Sequence, residues 1–196
     1  SGDKREAIVE ISYINETTSV IIEQAAGNGN TGGNGGNNDG EQVTFKALCL
    51  DGYYYGQKYG EGADRYAFFL SDQGLNNGGQ AYTNGTYYYI DCFSPANHTT
   101  TLPLGTYTFD SANSGNPYTI NSENSQLILT GNDVDDTVTK YMTDAKMVVS
   151  ANQIVLECTI DGEVHKVTFM GDLALEDVNN TGGDDNNGND EQGEDQ

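Results

Sequence analysis

The chain has 196 residues and a formal net charge of −22, from 8 Lys and Arg against 30 Asp and Glu. A field of that sign repels phosphate backbones and anionic lipid, so the composition argues against nucleic acid as a partner and against adsorption to a membrane. No apolar run reaches the ~18 residues that a membrane-spanning helix needs.

From the N-terminus, Ala7–Ile14 (AIVEISYI) and Ser19–Gln24 (SVIIEQ) flank an Asn-led polar turn. Lys4-Arg5-Glu6-Ala7 would also open a helix, but the Ile, Val and Thr content favours a β-hairpin over residues 1–25. A Gly/Asn tract follows over 26–41. It holds too little apolar surface to offset its ordering entropy and reads as a spacer. The stretch 42–177 is a Tyr-rich body of strand-like runs. Val43–Leu50 is expected to be one strand ended by an Asp51-Gly52 turn. Tyr53–Tyr59, Arg65–Ser71 (RYAFFLS), Thr86–Phe93 (TYYYIDCF) and Thr106–Phe109 come next. Ser125–Thr130, Val138–Val149, Gln153–Ile160 and Glu163–Met170 complete the series. The last two are joined by Asp161-Gly162, the strongest hairpin signal in the chain. An acidic Gly/Asn-rich tail runs over 178–196.

Alternation separates core from surface. In Gln153–Ile160 the set Ile154, Leu156, Cys158 and Ile160 is apolar, while Gln153, Glu157 and Thr159 oppose it, which assigns Cys158 to the core. In Glu163–Met170 neither face is purely apolar, as befits a position near a sheet edge. Short strands of roughly even spacing, with no sustained helical period, predict an all-β domain of nine or ten strands. An antiparallel β-sandwich is the favoured architecture, with a meander β-barrel of lipocalin-like type as the alternative. Cys49, Cys92 and Cys158 each lie mid-strand without a CxxC pair and read as buried apolar residues. Pairing of any two is left open by their spacing.

The segments DGYYYG, RYAFFLSD, TYYYIDCF, LPLGTYTFD and the final VTFMGDL resemble, together, a class of uncharacterised lipoproteins exported by Bacteroidales bacteria. In those proteins an aromatic strand pair precedes a P-x-G-T-Y element. The likeness covers about Val43 to Leu173. It implies an all-β domain, export to the periplasm or the outer cell surface, and a lipid anchor on a Cys preceding the mature chain. In that setting Asp110-Ser111-Ala112 and Asp136-Thr137-Val138 look like acceptor sites for O-glycans, at Ser111 and Thr137.

Tyrosine is the outstanding side chain of the first half of the body. Successive strand residues point to opposite faces, so each Tyr triplet must turn at least one ring outward. Flat apolar ring faces beside hydroxyls suit sugar C–H groups or a protein surface. Tyr54, Tyr55, Tyr59, Tyr87 and Tyr89 are the candidate contact residues. Metal is not expected. Gly183–Glu194 aligns with a calcium loop only with Gly where the first carboxylate belongs, and Asp133, Asp135 and Asp136 read as a solvated turn. Catalysis is not expected either. The two histidines, His98 and His165, lack an adjacent nucleophile motif, and nothing singles out two of Asp51, Asp91, Glu123 and Glu157 as a glycosidase pair.

The expectation is therefore a cofactor-free cell-envelope binding or display module, carbohydrate being the first ligand class. A structural or adhesive protein that assembles with other envelope proteins, and a lipocalin-like carrier of a small apolar ligand, are the alternatives.

Overall fold

A computed structural model describes residues 5–13, 16–24, 42–58, 62–133 and 136–178, and every regular strand-length element in it is β. The chain divides into two units, residues 1–39 and 40–196. In the first, β1 (Arg5–Tyr13) and β2 (Glu16–Gln24) pair antiparallel in unbroken register from Arg5↔Gln24 to Tyr13↔Glu16. The β-branched content prevails over the helix opening. The two Gly/Asn tracts lie outside the described residues, apart from the residues at their margins.

The second unit is one sheet of eleven strands. β3 (Val43–Lys46) leads into β4 (Cys49–Gly56), β5 (Ala63–Ser71) and β6 (Thr86–Pro95). β7 (Gly105–Asp110), β8 (Thr119–Asn121) and β9 (Gln126–Leu129) follow. The long β10 (Val138–Ser150), then β11 (Gln153–Ile160), β12 (Glu163–Met170) and the short β13 (Glu176–Asp177) complete it. β4, β5 and β6 form an antiparallel meander, as do β10, β11 and β12. Between the two meanders, β8 and β9 lie end to end along one edge of β6, and β7 inserts between β8 and β10. The pairings β6–β8–β7–β10–β9 therefore close into a ring. Three pairings are parallel, β3 on β12, β13 on β4 and β7 on β8. These are short strands laid beside partners distant in sequence or across a loop, where no tight turn imposes the antiparallel sense.

Asp51-Gly52 is not a turn. Both residues lie inside β4, and the break falls at Ala47-Leu48 instead. There the Ala47 amide donates to Thr168 O of β12 and the next amide, Leu48, donates to Ser71 O of β5, each at 2.8 Å. One segment thus hands over from one end of the sheet to the other. Gly52 serves close approach within the strand: a Cβ there would stand 2.3 Å from Ala67 O of β5. The Asp161-Gly162 hairpin is as expected, with φ of 53° and 84° matching a two-residue turn that needs both residues left-handed.

The core follows the alternation. Tyr66, Phe68 and Leu70 of β5 and Tyr88, Ile90 and Cys92 of β6 point inward, as do Ile154, Leu156, Cys158 and Ile160 of β11. His165, Val167 and Phe169 of β12 complete it, so the mixed strand Glu163–Met170 has a distinct buried face after all. His165 is tolerated there because the Tyr88 hydroxyl lies 2.9 Å from its Nδ1. All three cysteines are free thiols. Burial pushes the Cys158 thiol up to about 12 and that of Cys92 well above its ordinary value, which leaves both unreactive.

Candidate functional site

The outward face of the first meander carries the site. β4 turns Asp51, Tyr53 and Tyr55 to this side and β5 turns Arg65, Ala67 and Phe69. β6 adds Tyr89 and Asp91, and β9 adds Gln126. Register sets them in rows, with Asp51 beside Phe69, Phe69 beside Tyr89, and Tyr89 beside Gln126. The adjacent row runs Tyr53, Ala67, Asp91. Ala67 is the small residue of the group, and its methyl forms the floor of a cavity of about 250 Å³ walled by Tyr53, Tyr55, Phe69 and Tyr89, with Gln126 at the rim. The Phe69 and Tyr89 rings are packed with centroids 4.8 Å apart, and Tyr53 and Tyr55 meet edge to face at 6.3 Å.

A polar cluster lies beside the Tyr55 ring. Arg65 donates through Nε and an Nη to the two Asp91 oxygens, both at 2.8 Å, and its guanidinium lies 5.3 Å from the Tyr55 ring centroid. Asn124 Nδ2 donates to Asp91 Oδ2 at 2.7 Å, while the Asp91 amide donates to Ser125 Oγ. Asp91 is fully buried. It is therefore a fixed anchor for the guanidinium, and the pair presents little net charge to a ligand. Burial, followed by the Asp91 charge, holds the Tyr89 hydroxyl up at about 12, so it remains a hydrogen-bond donor.

Of the five tyrosines singled out by sequence, Tyr55 and Tyr89 stand at this cavity. Tyr54 and Tyr87 do not lie on an outward surface, a correction to the expectation. Tyr54 is the inward member of its triplet and stacks on Tyr66 with centroids 5.2 Å apart. Tyr87 has the outward parity but is covered by the connection between β5 and β6. Its hydroxyl donates to Gly74 O at 3.0 Å and accepts from the Tyr82 amide at 2.8 Å. Tyr59 lies outside the described residues. Sequence reading missed Tyr53, Ala67, Phe69, Arg65 and Gln126. The alternation in RYAFFLS does put Arg65, Ala67 and Phe69 on one face, but that strand is apolar on both sides and its parity alone does not say which side is outside.

A second recess of about 720 Å³ shares Tyr53 with the first and is bordered by Asp51, Asn76, Asn77 and Glu176. Burial, with the Glu176 charge second, holds the Asp51 carboxyl above its ordinary value, and its Oδ2 is buried without a hydrogen-bond partner among the described residues.

The remaining candidates are scattered. His98 is exposed in the loop after β6, where its amide and that of Asn97 donate to the buried Asp64 carboxylate. Glu123 and Glu157 are exposed at separate places on the surface. Among the described residues, no three His, Cys, Asp or Glu side chains are grouped to hold a metal ion, and no helix is long and apolar enough to cross a membrane. Gly183–Glu194 and Asp135 lie outside the described residues. Ser111 and Thr137 are both exposed, Ser111 in a turn that Asp110 holds by accepting from the Ala112 and Ser114 amides. Comparison with protein-family models, with curated proteins and with solved structures finds no match.

Proposed function

We propose that the second unit is a non-catalytic binding or display module of the cell envelope whose ligand is a carbohydrate. The observation that carries the reading is the cavity floored by Ala67 and walled by four aromatic rings. An apolar ring face with hydroxyl, amide and guanidinium groups at its margin matches a sugar, which has C–H faces and hydroxyl edges. Export and a lipid anchor belong to the same proposal and rest on the likeness of the strand motifs. O-glycans at Ser111 and Thr137 fit it too, both side chains being exposed. For the architecture we propose a flattened sandwich, the β4–β6 layer over the β10–β12 layer. The direct contact of Tyr88 with His165 supports two layers in contact, whereas a lipocalin-like carrier would need an open lumen where Tyr88, Tyr107 and Leu156 are fully buried.

A glycan array probed with the purified chain, with calcium and again with chelator, tests the reading. Binding that survives chelation and is lost in Tyr55→Ala and Tyr89→Ala supports it, and no binding under either condition rejects it. The structural or adhesive alternative is favoured by Leu48 and Met170, 66% and 65% exposed, at the corner where β3 meets β12. Oligomers by light scattering that dissolve in Leu48→Lys would support that alternative.

A further inference from the structure

The cavity floored by Ala67 is small and narrow in its chemistry. At about 250 Å³ it falls below the roughly 300–1,000 Å³ of a site that encloses a whole drug-sized ligand, so it suits one ring or one substituent. Its floor is a methyl and its walls are aromatic rings. The only polar side-chain groups in the lining are the tyrosine hydroxyls and the Gln126 carboxamide. None of the lining side chains is charged at neutral pH. Arg65, beside the Tyr55 ring, is held through two bonds of 2.8 Å by Asp91, so that neighbouring pair cancels. A neutral group therefore fits this space better than a carboxylate or an ammonium.

Gln126 adds the second half of the pattern. Register sets it directly beside Tyr89, and it is half-buried. Its carboxamide makes no hydrogen bond among the described residues, so a donor and an acceptor stand unused at the margin of an apolar space. A sugar hydroxyl lowered onto Ala67 would give up its bonds to water and find no partner there. A methyl would gain by leaving water. An acetamido group joins both requirements. Its methyl is apolar, and its amide offers an N–H and a C=O, one of which the Gln126 carboxamide can pair with while the other stays in water at the rim. The methyl of a 6-deoxy sugar meets only the first requirement.

We infer that this cavity is a subsite for the acetamido group of an N-acetylated amino sugar, with the methyl on Ala67 among the four rings and the amide against Gln126. This rests on the carbohydrate reading above and names the sugar class within it. Ala67 and Gln126 are then the residues that set specificity, and the rings supply the apolar contact.

Titration of the full chain with the methyl glycosides of N-acetylglucosamine, N-acetylgalactosamine, glucose and galactose, followed by NMR of the backbone amides, tests it. Each acetamido sugar differs from its counterpart only in carrying an acetamido group where the other has a hydroxyl. All four are neutral, so the −22 charge of the chain does not favour either member of a pair. At least one acetamido sugar is expected to bind about tenfold more tightly than its hydroxyl counterpart. Ala67→Val fills the floor with a residue that suits a strand, and should bring that pair within about twofold. Gln126→Ala, at a half-buried side chain, should take away part of the preference and serves if Ala67→Val fails to fold. Equal or tighter binding of the hydroxyl sugars, or a preference unchanged in the variants, overturns the acetamido subsite and leaves the carbohydrate reading standing. Binding on a glycan array that is confined to glycans without an acetamido group does the same. Failure of all four glycosides and of every arrayed glycan to bind the folded protein overturns both.

Discussion

The two faces of the β4–β6 meander are built from the same residue types and do opposite things. Inward, Tyr54 and Tyr66 pack on each other, and Tyr88 packs against Phe45 and His165. Outward, Tyr53, Tyr55 and Tyr89 stand around a small residue, and their spacing leaves a cavity instead of closing it. The inward rings are covered by the rest of the core. Among the described residues no element covers the outward rings, and the small side chain of Ala67 leaves a space between them. Aromatic content alone therefore says little about role. What distinguishes a packing tyrosine from an accessible one here is whether another element covers it, and Tyr87, outward in parity yet covered by its loop, makes the point within a single strand.

The largest expected effect breaks this comparison at its inward side. Tyr88→Ala removes a fully buried ring and should cost about 3–5 kcal/mol in urea unfolding, whereas Tyr55→Ala should cost under about 1 kcal/mol and abolish glycan binding. Similar losses for the two would mean that the outer rings are structural. Next comes Asp91→Asn. Asp91 is wholly buried while Arg65 retains some exposure, so the loss should reach about 2–3 kcal/mol, below that of a fully enclosed pair. The guanidinium should also leave the Tyr55 ring, and affinity should fall along with stability.

The smallest effect sharpens the inward side by titration. Burial holds the His165 pKa below its ordinary value. The unfolded chain then takes up a proton at about pH 6.5 that the folded chain accepts only at lower pH. The stability due to neutral His165 is thus fully present above about pH 6.5 and declines as pH falls through the depressed folded value. Asp51, raised by burial and by Glu176, has the reverse sign: its contribution is greatest at low pH and is lost as pH rises through the raised value. A difference measurement separates them. Between about pH 7.5 and 5.5 the urea midpoint should drop further in the parent chain than in His165→Gln. Equal drops would mean that His165 is not the titrating group.

Much of the fold was legible from the residues. The alternation in Gln153–Ile160 and the Asp161-Gly162 turn located β11, its inward face and the hairpin to β12, because period and turn type are local properties. Asp51-Gly52 misled for the opposite reason. The dipeptide commonly turns a chain, yet here the glycine is demanded by a neighbouring carbonyl 2.3 Å from where its Cβ would be. β8 and β13 escaped notice because strands of three and two residues carry no period. The site was half visible. Tyr55 and Tyr89 were among the residues singled out, but Ala67, which makes the cavity, has no chemistry to attract attention.

The sequence by itself determined the β class, the alternating split of each strand into two faces, and the strong net negative charge. These follow from side-chain type and a period of two, and need no knowledge of neighbours. Only the tertiary structure decided which face of each strand is covered, which carboxylate stands beside which ring, and that Ala47-Leu48 rather than Asp51-Gly52 is where the chain passes from one end of the sheet to the other. Each of those depends on pairing between strands far apart in sequence, and register, not composition, carries that information.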